Sequence, residues 1–294
     1  MSRAGTAVRS TILGHRFDPR TWVWLRPVLT GPTLVELIDL HIHILPGLDD
    51  GPGDLADTKA LASACISAGV DRVVATPHVN HRWGLQFPQT TEAVEETRLA
   101  LEDAGLDLQV ELGAEVALTT AVDLEPEQLQ RYRMANGDWL LLEAPSQGPS
   151  TAIHSMIFSV MSQGHRVLLA HPERCQTFQE DLDLLASLVN GGVRTQVTAE
   201  ALTGRFGRTA QRTAQRMFNR DLVHVVASDA HHATHRPPSL IPEIKRSGHG
   251  DLIQYLCHDM PAWILDGGEE PVRPDSGSKK KAGRGILGRL GFNA

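Results

Sequence analysis

Two histidines two residues apart, His41 and His43, close the stretch Ile38-Asp39-Leu40-His41-Ile42-His43. Side chains on an extended strand alternate between faces, so both imidazoles project the same way and can hold one metal ion between them. A lone His-x-His is weak evidence for a metal. It gains weight because later short apolar runs also close on ligand-type residues: Thr76-Pro77-His78, Gly113-Ala114-Glu115, Glu143, His171-Pro172-Glu173-Arg174 and Ser228-Asp229-Ala230-His231. With Asp50, the candidate ligands are His41, His43, Asp50, His78, Glu115, Glu143, His171, Asp229 and His231.

Imidazole mixed with carboxylate, without thiolates, suits manganese, iron or zinc and excludes a thiolate zinc knuckle. The set exceeds the needs of one ion, and a carboxylate such as Glu115 can bridge two, so a cluster of two or three metals is expected. Such a cluster offers a hydroxide at neutral pH and a positive clamp for phosphoryl oxygens, which is hydrolytic phosphoester chemistry. Arg174 and Arg236 follow His171 and His231 closely, and a guanidinium fork there can grip phosphate bidentately. Each candidate has a plain alternative: a helix cap for Asp50, a buried ion pair for Glu143, a satisfied core histidine for His171, surface ion pairs for the arginines. Jointly these are poor explanations, because unpaired charges at buried strand ends are costly. His224 lies within a strand and reads as core. No phosphate-cradling glycine loop or Cys-x5-Arg nucleophile is present.

The elements that must position these groups alternate. Strands are predicted at 37–40, 72–75, 108–112, 139–142, 166–170, 193–197 and 222–227, with helices at about 54–68, 91–104, 152–163, 182–190 and 207–219. Seven strand-helix units without an internal repeat predict an α/β fold with a parallel sheet, whose active groups gather at the C-terminal strand ends. Six of the seven predicted strand ends carry His, Glu or Asp; the sixth, closing at Val197, carries none.

A chain of 294 residues with 41% hydrophobic and 21% charged residues can bury a full core. Its net charge of −7 argues against a general nucleic-acid surface. Cys65, Cys175 and Cys257 form no CxxC pair, which suits a reducing cytosol. No signal peptide or membrane-spanning run is evident. Residues 1–34 lack periodicity and are expected to be a poorly ordered extension, with a translation start near Val35 as one explanation; 35–265 form the domain. Residues 266–294 read as a flexible basic tail, carrying Lys279-Lys280-Lys281 and Arg284 before Ile286, Leu287, Leu290 and Phe292. Segment 279–294 could be plainly solvated, or anchor to a membrane surface or an acidic partner.

The stretches His41-Ile42-His43, Leu45-Pro46-Gly47-Leu48-Asp49-Asp50-Gly51, Ala75-Thr76-Pro77-His78, Ala170-His171-Pro172-Glu173-Arg174 and Ala227-Ser228-Asp229-Ala230-His231 resemble the polymerase-and-histidinol-phosphatase (PHP) superfamily. Leu202-Thr203-Gly204-Arg205-Phe206-Gly207 and Arg236-Pro237-Pro238 narrow the resemblance to bacterial manganese-dependent protein-tyrosine phosphatases of capsule and exopolysaccharide gene clusters, over about residues 36–265. The resemblance implies a distorted (β/α)7 barrel with a trinuclear site. His41, His43, Glu115 and Asp229 would hold one metal; Glu115 would bridge to a second shared with Glu143 and His171; Asp50, His78 and His231 would hold the third. Arg174 and Arg236 would handle phosphate, and the substrate would be the phosphotyrosine-rich tail of a bacterial tyrosine autokinase in the cytoplasm. Ile42, Val79 and Cys175 depart from the family's usual Ser, His and aromatic, and none of these removes a ligand.

The mechanism this implies is in-line attack on phosphorus by a metal-bridging hydroxide, three divalent ions (manganese first, iron or zinc as alternatives) sharing the charge with the arginines. Rival readings are a small-molecule phosphatase, such as one for histidinol phosphate, a nuclease, or a non-enzymatic metal-holding regulatory module.

Overall fold

A computed structural model describes residues 36–275, apart from 85, 86, 136 and 148. The expectations for residues 1–34, and for the basic segment 279–294, lie outside the described residues.

The strands are β1 (Ile38–Ile42), β2 (Arg72–Ala75), β3 (His78–Val79), β4 (Gln109–Leu112), β5 (Glu115–Ala117), β6 (Trp139–Glu143), β7 (Arg166–Ala170), β8 (Arg194–Thr198) and β9 (Val225–Ala227). All pair in parallel, in two sheets ordered β1-β2-β4 and β3-β5-β6-β7-β8-β9. The sheets share two interrupted strands. Thr76-Pro77 divides β2 from β3, and Gly113-Ala114 divides β4 from β5. Proline has no N–H to give the ladder. Gly113 is packed so closely that a Cβ would lie 2.6 Å from Val74 Cγ1. The outer strands β9 and β1 meet through a parallel Ile42–Ala230 bridge, with His43 N–H donating to Ala230 O (2.9 Å) and Asp229 N–H to His41 O (2.8 Å). The protein is a distorted (β/α)7 barrel.

The helices that return the chain are α1 (Leu55–Ser67), α2 (Phe87–Asp103), the short α3 (Leu118–Ala121) and α4 (Pro126–Gln130), α5 (Ser150–Ser162), α6 (Gln176–Glu180), α7 (Leu182–Asn190) and α8 (Gly207–Asn219). Then follow α9 (Ile241–Arg246) and α10 (Met260–Asp266). Asp54, not Asp50, caps α1, accepting the N–H groups of Ala56 and Asp57, which leaves Asp50 free for the site. Leu140, Leu141 and Leu142 are buried without alternation, as expected of a strand covered on both faces.

Two differences from expectation concern the last third of the chain. The seventh strand is shorter than 222–227: its register with β8 begins at Val225, with His224 N–H donating to Thr195 O (3.2 Å) just ahead of it and Leu222 and Val223 buried before that. Residues 267–273, expected as the start of a loose tail, lie against the barrel. Trp263 Nε1 donates to Gly268 O (3.2 Å), Arg194 grips Glu270 (2.7 and 2.8 Å), and Arg273 reaches Asp221 (3.4 Å) and the Val223 carbonyl. Among the described residues, no helix is long and apolar enough to cross a membrane.

His224 is a core residue, as its place in the sequence suggests. Its Nδ1 accepts the Thr195 N–H at 3.2 Å. Burial first, then Arg194 and Arg273, push its pKa down to about 3. The folded protein therefore holds His224 neutral, and its contribution is intact above the unfolded value near 6.5 and is lost as pH falls toward 3. By pH 4.5 this linkage costs about 2–3 kcal/mol. Urea unfolding at pH 7 and pH 4.5 should show a smaller loss in His224→Asn, which retains an acceptor and does not titrate.

Candidate metal centre

The strand ends bring all nine expected ligands to one end of the barrel. β1 carries His41, with His43 just beyond it; β3 and β5 begin with His78 and Glu115; β6 ends in Glu143. His171 follows β7, Asp229 and His231 follow β9, and Asp50 reaches in from the loop after β1. His78 and Glu115 thus stand at the head of separate short strands beyond the breaks, and adjacent pairing places them opposite each other in register.

Four overlapping groups have one donor atom per residue within 4.8 Å of all the others: His43, Asp50, His78 and His231; His41, His171 and Asp229; His41, His43 and Glu115; His78, Glu115 and Glu143. His41 Nε2 lies 3.2 Å from His43 Nε2, 3.3 Å from Glu115 Oε2 and 3.4 Å from Asp229 Oδ1. Glu115 Oε2 also has His78 Nδ1 at 3.0 Å, while Glu115 Oε1 meets His171 Nε2 at 2.7 Å. Glu143 Oε1 stands 4.0 Å from His171 Nε2. Asp50 Oδ1 faces His231 Nε2 (3.3 Å) and His78 Nε2 (3.5 Å).

The residues around this set fix which ring nitrogens face inward. His41 Nδ1 donates to Gln196 Oε1 (3.0 Å), His43 Nδ1 to Asp49 Oδ2 (2.6 Å) and His231 Nδ1 to the Asp229 carbonyl (3.1 Å). In each neutral ring the Nε2 lone pair then points into the cluster. Without a positive charge between them, ring nitrogens and carboxylate oxygens at 3.0–3.4 Å would repel, and Glu115 Oε2 and His78 Nδ1 are buried without a well-formed hydrogen bond. Donors about 2.1 Å from a shared cation would stand about 3.0–3.4 Å apart. The donor set fits divalent metal.

The electrostatics make the same demand for positive charge. Burial opposes charge on His43, but its hydrogen bonds to Asp49 and Glu115 win and push it up to about 10; His41 moves up in the same way under Glu115 and Asp229. Burial raises Glu143 to about 7, helped by the charge of Glu115. Asp229 is held low despite its burial by His41, Arg236, His171 and Arg174, and Asp50 is lowered chiefly by its hydrogen bond with His231. A cation would take the place of the proton on His43.

Backbone strain marks two of the ligands. His171 and Asp229 are non-glycine residues at positive φ (29° and 53°), a conformation that costs of order 1–3 kcal/mol and is kept where surrounding contacts impose it. Asp229 shows those contacts. Its Oδ1 faces His41 and His43, while its Oδ2 accepts from Arg174 NH1 (2.6 Å) and forms an ion pair with Arg236 NH2 (2.7 Å). Arg236 also donates to the Asp229 carbonyl (3.0 Å). Both expected arginines therefore stand at the cluster. A cavity of about 100 Å³ opens beside it, lined by Glu143, His171, Arg174 and Cys175 among others. The larger hollow, about 580 Å³ along 105–111, holds none of the candidate ligands.

Sequence reading missed four residues. Asp49 takes His43 Nδ1–H and the His78 N–H (2.9 Å), and a Cβ on its neighbour Gly51 would lie 2.7 Å from the His43 carbonyl. Gln196, on the strand without a ligand, orients His41 and accepts the His171 N–H (3.3 Å). Asp39 accepts the Ser228 N–H (3.0 Å) and ties β1 to the Asp229 turn. Glu173 accepts the Thr198 N–H (3.0 Å). The available signals were the doubled Asp49-Asp50 and a buried glutamine in an otherwise Val/Thr strand.

Because Asp49 holds the tautomer of one ring and the backbone of another ligand, Asp49→Ala should weaken divalent-metal binding by about 10- to 100-fold. Calorimetric titration with manganese checks this, with unchanged circular dichroism as the control. The wild-type titration should also show proton release at pH 7, since His43 carries a proton that the metal displaces.

The family model described as capsular polysaccharide synthesis, CpsB/CapC, matches residues 37–258. Tyrosine-protein phosphatase YwqE of Bacillus subtilis is 31% identical over 201 residues, covering 68% of this chain and 79% of its own length. A crystal structure from the pair YwqE of Bacillus subtilis and CpsB of Streptococcus pneumoniae, described as unique metal-dependent tyrosine phosphatases, aligns at TM-score 0.71 and 27% identity, covering 81% of this chain and all of that one. A lactonase from Listeria monocytogenes, at TM-score 0.52 and 12% identity over 80% of this chain and 96% of its own, shares the fold alone. The chain belongs to the CpsB/CapC family of capsular polysaccharide synthesis.

Proposed function

We propose that the chain is a metal-dependent protein-tyrosine phosphatase of capsule or exopolysaccharide synthesis. Its substrate is the phosphotyrosine-rich tail of a bacterial tyrosine autokinase. The observation that carries the reading is the pair of guanidinium groups, Arg174 and Arg236, converging at 2.6 and 2.7 Å on a carboxylate whose other oxygen faces the histidine cluster. Its support is that two guanidinium forks, a group suited to gripping phosphate, lie next to a set of donors suited to divalent metal.

His41, His43, Glu115 and Asp229 would hold one ion, Glu115 with Glu143 and His171 a second, and Asp50, His78 and His231 a third, with manganese preferred and iron or zinc acceptable to the same donors. When bound, divalent ions supply an activated nucleophile at neutral pH and polarise the phosphoryl group. The protein's own part is to orient. Gln196, Asp49 and the Asp229 carbonyl set the imidazole tautomers, and the strained turns at His171 and Asp229 aim their side chains. Arg174 and Arg236 spread the charge that gathers on the phosphoryl oxygens. Tyrosine's phenol, with a pKa near 10, leaves as its anion more readily than an alkoxide, so a dedicated general acid is not essential.

A cysteinyl-phosphate route has no candidate among the described residues. Cys65, Cys175 and Cys257 are all buried, and burial pushes every one of these thiols up, away from the thiolate. The enzyme works in the cytoplasm, and its basic segment 279–294 is either plainly solvated or a contact to the kinase or the membrane surface.

His171→Ala and Asp229→Ala should each lose at least about 1000-fold in hydrolysis of p-nitrophenyl phosphate, and full activity in either would overturn the assignment. Wild-type protein loaded with manganese should turn over a phosphotyrosine peptide from a kinase tail faster than histidinol phosphate or DNA; the reverse order would move the substrate class.

A further inference from the structure

We infer that Phe206 is a positioning residue that braces the two phosphate-binding arginines through its ring face. The inference rests on the phosphatase reading above and adds a group to its machinery. Phe206 lies in the loop that joins β8 to α8, within Leu202-Thr203-Gly204-Arg205-Phe206-Gly207, the stretch that the metal cluster leaves without a role. The Arg174 guanidinium carbon lies 4.5 Å from the Phe206 ring centroid and that of Arg236 lies 5.9 Å away. One half-buried ring thus contacts both cations that reach Asp229 Oδ2.

A guanidinium over an aromatic face is attracted by the ring quadrupole and keeps its N–H edge free for an in-plane acceptor. The ring therefore restricts the planes of both arginines without using their donors. Arg236 Nε is buried with no acceptor among the described residues, so that guanidinium is not held by hydrogen bonds on every edge and the ring face adds a restraint. The loop fixes the ring from two sides. Gly204 and Gly207 adopt positive φ (96° and 88°) on either side of it. Arg205 pairs with Glu200 (2.9 Å) and contacts the His235 carbonyl, joining the loop after β8 to the loop that carries Arg236.

Two kinds of variant separate a brace from a filler. Phe206→Leu keeps apolar bulk without a π face; Phe206→Tyr and Phe206→Trp keep the face. In the manganese-loaded full chain, Phe206→Leu should weaken binding of inorganic phosphate, read by calorimetry, by about tenfold. It should lower kcat/KM for p-nitrophenyl phosphate by a similar factor, with metal content and thermal midpoint unchanged. Phe206→Tyr should stay within about twofold of wild type, and in an Arg174→Ala, Arg236→Ala background Phe206→Leu should have no further effect. Wild-type phosphate affinity in Phe206→Leu, or an equal loss in the Leu, Tyr and Trp variants, would overturn the brace. Loss of turnover in every protein, with the phosphate-binding pattern intact, would refute the phosphatase reading and leave the brace standing.

Discussion

The end of the barrel concentrates more acceptors than the protein has protons to share among them. Glu115 Oε2 alone lies within 3.0–3.4 Å of His41, His43 and His78 ring nitrogens, and Glu115 is buried. Such an arrangement costs several kcal/mol per unpaired group in a low-dielectric interior. It survives because the parallel barrel holds the ligands from behind, through hydrogen bonds of His41 and His171 to Gln196 and of His43 and His78 to Asp49. The excess of acceptors is what selects a multiply charged cation over a proton, since a proton satisfies two atoms and a divalent metal four to six.

The barrel's irregularities serve this concentration. A regular strand continuing from β2 or β4 would send alternate side chains outward past the barrel end. The breaks at Thr76-Pro77 and Gly113-Ala114 end one sheet's ladder and start the other's, so that His78 and Glu115 begin new strands paired with each other. At β7 and β9 the same turn inward is made by positive φ at His171 and Asp229. Aspartate tolerates that conformation; histidine before proline does so at greater cost. Glu173 and Asp39, buried next to those turns, hold the backbone N–H groups of Thr198 and Ser228.

Much of this was legible in the sequence because the chemistry and the topology coincide. The period-two spacing of His41 and His43 predicted facing imidazoles, and their Nε2 atoms lie 3.2 Å apart. The alternation of short apolar runs with helical segments predicted parallel strands with polar groups at their ends. What was not legible depends on contacts distant in sequence. Gln196 gains its role only because β8 lies beside β7 and reaches His41, 155 residues away. Asp49 and Asp50 look alike in sequence, and only the path of the loop assigns one to the imidazole Nδ1 and the other to the far side of the cluster. The docking of 267–273 was hidden because glycine, proline and charge read as loose chain, whereas Arg194 and Trp263 on the folded barrel provide partners for it.

Asp229 shows how an acidic protein can place positive charge at its centre. The chain carries a net charge of −7, and the cluster adds buried carboxylates, so a dianionic phosphate would be repelled by the protein alone. Two guanidinium groups on Asp229 Oδ2 offset that carboxylate without withdrawing Oδ1 from the histidines. One residue is thereby shared between the cation side and the anion side of the site, and strengthening either set of contacts polarises the other. Both arginines also meet a single ring, that of Phe206, while they hold the carboxylate. The carboxylate sets the position of both guanidinium groups, and the ring face sets a second contact that does not consume their N–H donors.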